Sequence, residues 1–140
     1  MSCVFCDGDG GAVLWRDALY RIVLADEPGY PGFLRVIANA HVKEMTDLDV
    51  AGRAALLGGV LAAERAVREV MAPDKINLAA LGNLVPHLHW HVIPRFVDDP
   101  HYPRPVWCEP LRAAQRVAPE GLRGALAVAL SRQLAPLAET

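Results

Sequence analysis

The chain has 140 residues, of which 53% are hydrophobic and 21% are charged, and its formal net charge is −2. This length fits one domain, and the composition is that of a folded globular protein. The lack of a basic excess argues against nucleic-acid polymers as partners, and no apolar run reaches the roughly 18 residues of a membrane span. Because no basic and apolar leader follows Met1, we expect a cytoplasmic protein that binds neither nucleic-acid polymers nor membranes.

Short apolar-rich runs between turn and loop residues predict five strands, which are Val13–Arg16, Leu19–Ala25, Phe33–Ala38, Ile76–Leu81 and Leu88–Ile93. A long helix is predicted from an N-cap at Thr46 to about Met71, where Pro73 stops it. A second helix is predicted from Pro119 to about Leu134. This order predicts an α+β fold over a single domain, residues 1–140. One antiparallel five-stranded sheet would carry a long central helix and a C-terminal helix.

The pair Gly58-Gly59 stands in the middle of the long helix. Each glycine there costs roughly 1 kcal/mol relative to alanine. A closely packed partner would offset this cost, or the helix simply tolerates it. The sequence leaves both interpretations open.

Three of the five histidines stand at alternating positions in the last predicted strand, as His87, His89 and His91. Alternation sends all three to one face, about 6.6 Å apart between neighbours, while the apolar residues between them face the core. Such a face is a solvated polar surface, a metal site or a phosphate-transfer site. In the last case one neutral imidazole attacks phosphorus and a second holds charge or donates a proton.

The run from His87 to Ile93, HLHWHVI, resembles the motif of the histidine triad (HIT) superfamily of nucleotide hydrolases and transferases. The resemblance covers about residues 3–107, the core of the domain, and leaves 108–140 as a C-terminal extension. The longer run GNLVPHLHWHVIPRF is similar to small bacterial members described as diadenosine polyphosphate hydrolase-like or Hint-like. This implies a nucleotide substrate, with adenine as the expected base, and a homodimer of the kind common among Hint-like members.

The resemblance also implies roles for single residues. His89 is expected to attack the α-phosphorus and form a nucleotidyl-histidine, which water hydrolyses to a nucleoside monophosphate. His91 is expected to bind or protonate oxygens of the α-phosphate and leaving group. Asn77 and Asn83, the latter in place of the family's usual glutamine, are expected to contact phosphate, and Asp26 the ribose hydroxyls.

Cys3 and Cys6 form a C-x-x-C pair near the start of the chain, which by itself is weak evidence for any one chemistry. A structural zinc site needs four ligands, commonly two cysteines and two histidines. Many bacterial relatives complete such a site with histidines that match His41 and His87. We therefore predict a structural zinc held by these four residues, and no organic cofactor.

The leading hypothesis is an enzyme, a HIT-family hydrolase of the dinucleoside polyphosphate hydrolase or nucleoside phosphoramidase type. It would cleave the bond at the α-phosphate of a nucleoside polyphosphate or phosphoramidate. One alternative is a zinc-dependent metallohydrolase that uses the histidine strand as its metal site. Another is a nucleotide-binding protein without catalytic activity.

Overall fold

The computed structural model describes residues 2–135. Five strands form one sheet in the order β1-β2-β3-β5-β4, and every neighbouring pair is antiparallel. The strands are β1 (Ala12–Arg16), β2 (Tyr20–Leu24), β3 (Leu34–Ala38), β4 (Lys75–Ala79) and β5 (His89–Arg95). The helices are α1 (Val4–Asp7), α2 (Val50–Met71) and α3 (Leu122–Leu134). The predicted α+β architecture is confirmed, and the short helix α1 is an addition to it.

Helices α2 and α3 pack together over one face of the sheet. Alternate residues of the central strands point to that face, among them the fully buried Ile22, Val36 and Val92. They pack against an apolar stripe of α2 that comprises Leu56, Val60, Ala63 and Val67. Removal of this apolar surface from water is the main force that holds the two layers together.

Helix α2 begins after Asp49, so the predicted N-cap at Thr46 was wrong. The Asp49 side chain accepts a hydrogen bond from the Gly52 backbone N–H at 2.7 Å. Thr46 lies in a short 3-10 helix, Met45–Asp47, that precedes α2. Threonine and aspartate both suit an N-cap, so residue type alone does not decide between them. The predicted end at Met71 is confirmed, and Ala72 closes the helix in a left-handed conformation with φ 46°.

Helix α3 begins at Leu122 rather than at Pro119. Gly121 precedes it in a left-handed conformation with φ 75°, which glycine adopts without strain. Leu122, Leu126 and Leu130 recur every four residues along α3 and are buried against the core.

The two glycines in the middle of α2 have different environments. A Cβ atom on Gly59 would lie 2.6 Å from Cε2 of Tyr20, whereas one on Gly58 would meet open space. The close approach of Tyr20 on β2 therefore requires glycine at position 59. Among residues 2–135, no atom lies within 4 Å of such a Cβ on Gly58, so no packing contact there requires glycine.

The second face of the sheet is partly covered by helix α1. Phe5 of α1 packs against Val23 and Ile37. The buried Arg21 side chain donates hydrogen bonds to the Phe5 carbonyl at 2.6 Å and to the Asp9 carbonyl at 2.9 Å, which holds the N-terminal segment on the sheet. No helix within residues 2–135 is long and apolar enough to cross a membrane.

Candidate active site and metal centre

His89 and His91 lie on the second face of the sheet, near the segment that α1 covers. Strand β5 pairs with β3 so that His89 is opposite Ile37 and His91 is opposite Arg35. Because side chains alternate along a strand, both imidazoles share one face, as predicted. His87 precedes the strand, and its ring enters a different group of side chains.

The orientation of the His89 ring is set by the main chain. Its Nδ1–H donates to the His87 carbonyl at 2.6 Å, since a carbonyl can only accept a hydrogen bond. In the neutral ring the lone pair is therefore on Nε2. Burial lowers the pKa of His89. The hydrogen bond to the His87 carbonyl raises this pKa and the positive charge of Arg35 lowers it, and the net shift is downward. His89 is thus suited to act as a neutral nucleophile near neutral pH.

His91 is enclosed by three aromatic rings. The rings of Phe33, His89 and Trp107 all meet it edge-on, with centroids 5.0 to 5.7 Å away. Burial lowers the pKa of His91 to about 4, with smaller contributions from His89 and Arg35. Its buried Nδ1 has no hydrogen-bond partner within residues 2–135. An anionic ligand would favour protonation of this ring.

A cavity of 590 Å³ opens over the two histidines. Its walls are largely apolar, and its polar side chains besides the two imidazoles are Glu27, Arg35 and Asn83. Its apolar lining residues are Val4, Phe5, Leu81, Leu84, Val85 and Trp107. A concave, mostly apolar pocket with a few convergent polar groups is the usual form of a small-molecule site.

The three residues predicted to bind substrate occupy different places. Asn83 lines the cavity over His89 and His91. Asn77 does not, and its Oδ1 accepts a hydrogen bond from Arg95 at 2.7 Å. Asp26 is exposed and lines a separate cavity, whereas the adjacent Glu27 faces the histidines.

Cys3, Cys6, His41 and His87 converge in a second cluster, and their ligand atoms all lie within 4.8 Å of one another. Individual separations are 3.3 Å from Cys3 Sγ to His87 Nδ1, 3.3 Å from Cys6 Sγ to His41 Nδ1, and 3.2 Å between the two Nδ1 atoms. Tetrahedral zinc bonds of about 2.3 Å to sulfur and about 2.05 Å to nitrogen require ligand separations of roughly 3.3 to 3.8 Å. The geometry and the chemistry of these donors therefore fit zinc.

The His87 ring has a hydrogen-bond partner of the kind that metal-binding histidines use. Its Nε2–H donates to the Ala38 carbonyl at 2.6 Å, and this leaves the Nδ1 lone pair facing the cysteines and His41. Neither His89 nor His91 belongs to a cluster of this kind within residues 2–135. The metal-type donors and the cavity histidines are therefore separate groups.

The cavity residues that the sequence analysis did not predict include Arg35, Glu27 and Trp107. Arg35 stands in an apolar strand, where a charged side chain could have been noticed as unusual. Trp107 comes from a proline-rich segment, residues 98–110, and no periodic pattern predicts where that segment lies. Because Trp107 is distant from the histidines in sequence, no local pattern links it to them.

A buried ion pair fixes the segment that carries Trp107. Arg95 Nε lies 2.8 Å from Asp99 Oδ2, and both side chains are almost fully buried. Burial alone would raise the pKa of Asp99, but the Arg95 guanidinium and three backbone N–H donors outweigh it and hold that pKa well below its usual range. Arg95 also donates to the Arg104 carbonyl at 2.7 Å, which brings the segment back over the sheet.

Comparison with known proteins adds a family to this geometry. A model of the HIT domain matches residues 10–98, a span that includes His41 and the histidine run but not the two cysteines or Trp107. The chain is similar to a histidine triad protein from Bradyrhizobium japonicum, with 31% identity, a TM-score of 0.72 and coverage of 90% of this chain and 92% of that one. It is also similar to a zinc-bound histidine triad family protein from Mycobacterium smegmatis, with 29% identity, a TM-score of 0.67 and coverage of 94% and 95%.

Curated relatives match part of the chain. AP-4-A phosphorylases from two strains of Mycobacterium tuberculosis are 34% identical to it over 98 residues. The match covers 66% of this chain and 50% of each relative. The chain thus spans about half the length of these relatives.

Proposed function

Because this chain belongs to the HIT domain family, we propose that it cleaves the bond at the α-phosphate of a nucleoside polyphosphate or phosphoramidate through a nucleotidyl-histidine intermediate. The observation that carries this proposal is the geometry of His89. Its Nδ1–H is held by the His87 carbonyl, and its ring lines a cavity large enough for a nucleotide. A neutral, oriented imidazole of this kind is an activated nucleophile.

The reaction follows from the two imidazoles. His89 Nε2 attacks the α-phosphorus, a P–N bond forms, and the bond from phosphorus to the leaving group breaks. His91, which gains a proton when the anionic substrate binds, donates it to the leaving group. Water then attacks the same phosphorus and gives a proton to His91, which is neutral after the first step. The P–N bond breaks, the nucleoside monophosphate leaves, and His89 returns to its neutral form.

The other polar groups of the cavity bind the substrate. The Asn83 amide can donate to phosphate oxygens, and the Glu27 carboxylate takes the place proposed for Asp26 as the acceptor of ribose hydroxyl groups. The phosphorylase relatives support a diadenosine polyphosphate as the substrate class and adenine as the base.

The four donors Cys3, Cys6, His41 and His87 hold a structural zinc in this proposal. The zinc-bound relative supports it, as do the ligand separations. Bound zinc would supply cross-linking only, because three protein segments distant in sequence meet at it. The chemistry at phosphorus is left to His89 and His91.

The decisive experiment is capture of the covalent intermediate. Protein mixed with α-³²P-labelled diadenosine tetraphosphate and quenched in alkali, which preserves phosphohistidine, should carry label on the peptide that contains His89. His89→Ala should lose both label and turnover while its circular dichroism and metal content remain those of the wild type. A His89→Ala protein that turns over substrate normally would remove the proposal.

A homodimer is part of the proposal. Leu57 and Leu61 of α2 and Leu78 of the edge strand β4 are large apolar side chains with 38 to 45% of their surface exposed. Exposed apolar side chains on a helix and on an edge strand favour pairing with a second copy. Light scattering coupled to size-exclusion chromatography should give twice the chain mass at micromolar concentration. A monomer would contradict it.

A further inference from the structure

A side cavity of 170 Å³ adjoins the main cavity. The two share Arg35, His91, Glu27 and Trp107, and His101 lines only the smaller one. Its volume is below the range of about 300 to 1,000 Å³ typical of drug-sized ligands. The side cavity is therefore suited to a small group attached to, or reacting with, a ligand in the main cavity.

Arg35 is the one side chain with a permanent positive charge among the residues that line these two cavities. It is opposite His91 in the β3–β5 ladder, so the Cβ atoms of the two residues lie about 5 Å apart. A substrate that carries several phosphates brings several negative charges next to these histidines. Arg35 is placed to neutralise some of them.

The Arg35 guanidinium has spare hydrogen-bonding capacity. It donates to Glu27 Oε1 at 2.9 Å, and it has no other protein acceptor within residues 2–135. A guanidinium has five N–H donors in a planar fork that matches phosphate oxygens. Glu27 is 41% exposed, so this carboxylate can turn away from Arg35, towards water or a ribose hydroxyl group, when an anion approaches.

The His101 ring is oriented by a chain of hydrogen bonds. Tyr30 donates its hydroxyl proton to Asp99 at 3.0 Å, because the ionised carboxylate can only accept. His101 Nδ1–H must then donate to the Tyr30 hydroxyl oxygen at 2.6 Å. Nδ1 is thus occupied, and Nε2 is the nitrogen that remains for a ligand in the side cavity. In the neutral ring Nε2 accepts a hydrogen bond from a protonated phosphate oxygen, and in the charged ring it donates to an unprotonated one.

We propose that Arg35 and His101 form a phosphate subsite beside His91, on the far side of the bond that is cleaved. This proposal rests on the proposed function of the same site. Two sources of phosphate share this chemistry: the distal phosphates of the leaving group, and an inorganic phosphate that attacks the nucleotidyl-histidine in place of water. In the second case an oxygen of phosphate forms a bond to the α-phosphorus, the P–N bond to His89 breaks, and a nucleoside diphosphate leaves.

A substitution of Glu27 tests the proposal, because the affinity for phosphate should rise rather than fall. If Glu27 competes with a bound phosphate for Arg35, Glu27→Gln should strengthen phosphate binding, and a damaged fold cannot produce such a gain. Arg35→Gln should weaken it about tenfold or more, the effect of one charge-assisted contact. Arg35→Lys should lie between wild type and Arg35→Gln, because it keeps the charge and loses the fork.

Isothermal titration calorimetry of the full chain with inorganic tripolyphosphate, and separately with orthophosphate, measures these affinities at fixed ionic strength. Arg132→Gln is the matched control, because Arg132 also pairs with a glutamate, at 2.7 Å, but on an exposed surface away from both cavities. It should bind both probes as the wild type does. His101→Ala should weaken binding by a smaller factor than Arg35→Gln.

The two sources give different results. If the subsite holds the leaving group, tripolyphosphate binds more tightly than orthophosphate. Arg35→Gln then lowers kcat/KM for diadenosine tetraphosphate more than for an adenosine phosphoramidate, which has no distal phosphate. If the subsite holds the attacking phosphate, added orthophosphate changes the product from AMP to ADP, and Arg35→Gln abolishes that change.

Three results would overturn the subsite: no binding of either probe by the wild type, equal binding by Arg35→Gln, or weaker binding by Glu27→Gln. These probes contain no nucleoside and form no adduct on His89. Failure of the subsite is therefore distinguishable from failure of the proposed reaction, which the labelling of His89 tests separately.

Discussion

His87 and His89 are two residues apart and both buried, but their rings face different groups. The His87 ring is fully buried, with Nε2 bonded to a carbonyl and Nδ1 facing two sulfur atoms and another imidazole. The His89 ring is bonded only through Nδ1 and lines a cavity that a ligand can enter. In the proposed function, the same residue type serves as a metal ligand in one place and as a nucleophile in the other.

This difference shows that neighbouring side chains, rather than the repeated motif, determine the environment of each histidine. Alternation alone assigns all three rings to one surface. The structure divides them, because β5 begins at His89 and the segment before it turns His87 towards the N-terminal cysteines. Loss of function and loss of stability should therefore be separable between the two groups.

The largest effect is expected at His89. His89→Ala should lower kcat by about 10⁴-fold or more, since removal of a catalytic nucleophile typically costs this much. The midpoint of thermal unfolding should change by only a few degrees, because no metal ligand is lost. Steady-state kinetics and a thermal melt on the same sample measure both quantities.

His89→Gln is a useful second variant, because it keeps polar bulk in the cavity but cannot form the adduct. A large fall in unfolding temperature together with a small fall in kcat would reverse the assignments of His87 and His89.

Substitutions in the cluster of Cys3, Cys6, His41 and His87 should lower stability more than they lower activity. Cys6→Ser should lose bound zinc and several kcal/mol of unfolding free energy, because binding of a structural metal contributes directly to folding. Labelling of His89 by substrate should persist at temperatures where the variant is folded. Inductively coupled plasma mass spectrometry and denaturant unfolding measure the two losses.

Cys108→Ser is the matched control, since Cys108 is exposed and outside the cluster. It should keep the zinc content and stability of the wild type. Equal zinc content in Cys6→Ser and wild type would contradict the site.

The smallest effect concerns His91 and pH. The folded chain takes up this proton near pH 4 and the unfolded chain near pH 6.5, so protonation favours unfolding between these values. The stability that neutral His91 contributes is present above about pH 6.5 and is lost as the pH falls to 4, at most about 3 kcal/mol. Denaturant unfolding of wild type and His91→Leu across this range isolates the effect, because the variant retains every other titrating group.

Nuclear magnetic resonance of labelled imidazoles measures the pKa of His91 directly. AMP should raise the pKa of His91, because its phosphate favours the charged ring. A pKa near 6.5 in the free protein would show that the aromatic enclosure does not exclude water.

The sequence predicted much of the sheet and of the two histidine groups, because alternation and the family motif are local patterns. Alternation placed His89 and His91 on one face, and the resemblance to the HIT superfamily, rather than the spacing of Cys3 and Cys6, indicated the four zinc ligands. The cavity walls were harder to predict. Trp107 contacts His91 from a segment that the Arg95–Asp99 ion pair helps to hold over the sheet. Arg35 can be assigned to the site only when the register sets it opposite His91. Contacts between distant segments leave no periodic signal in sequence.

The hydrogen bond that orients His89 ends on the main chain of residue 87, not on its side chain. Every amino acid supplies that carbonyl. If His87 were replaced together with Cys3 and Cys6, the carbonyl of residue 87 would remain and His89 would keep its tautomer. We therefore expect zinc binding to be gained and lost among related lineages more readily than the histidine at position 89.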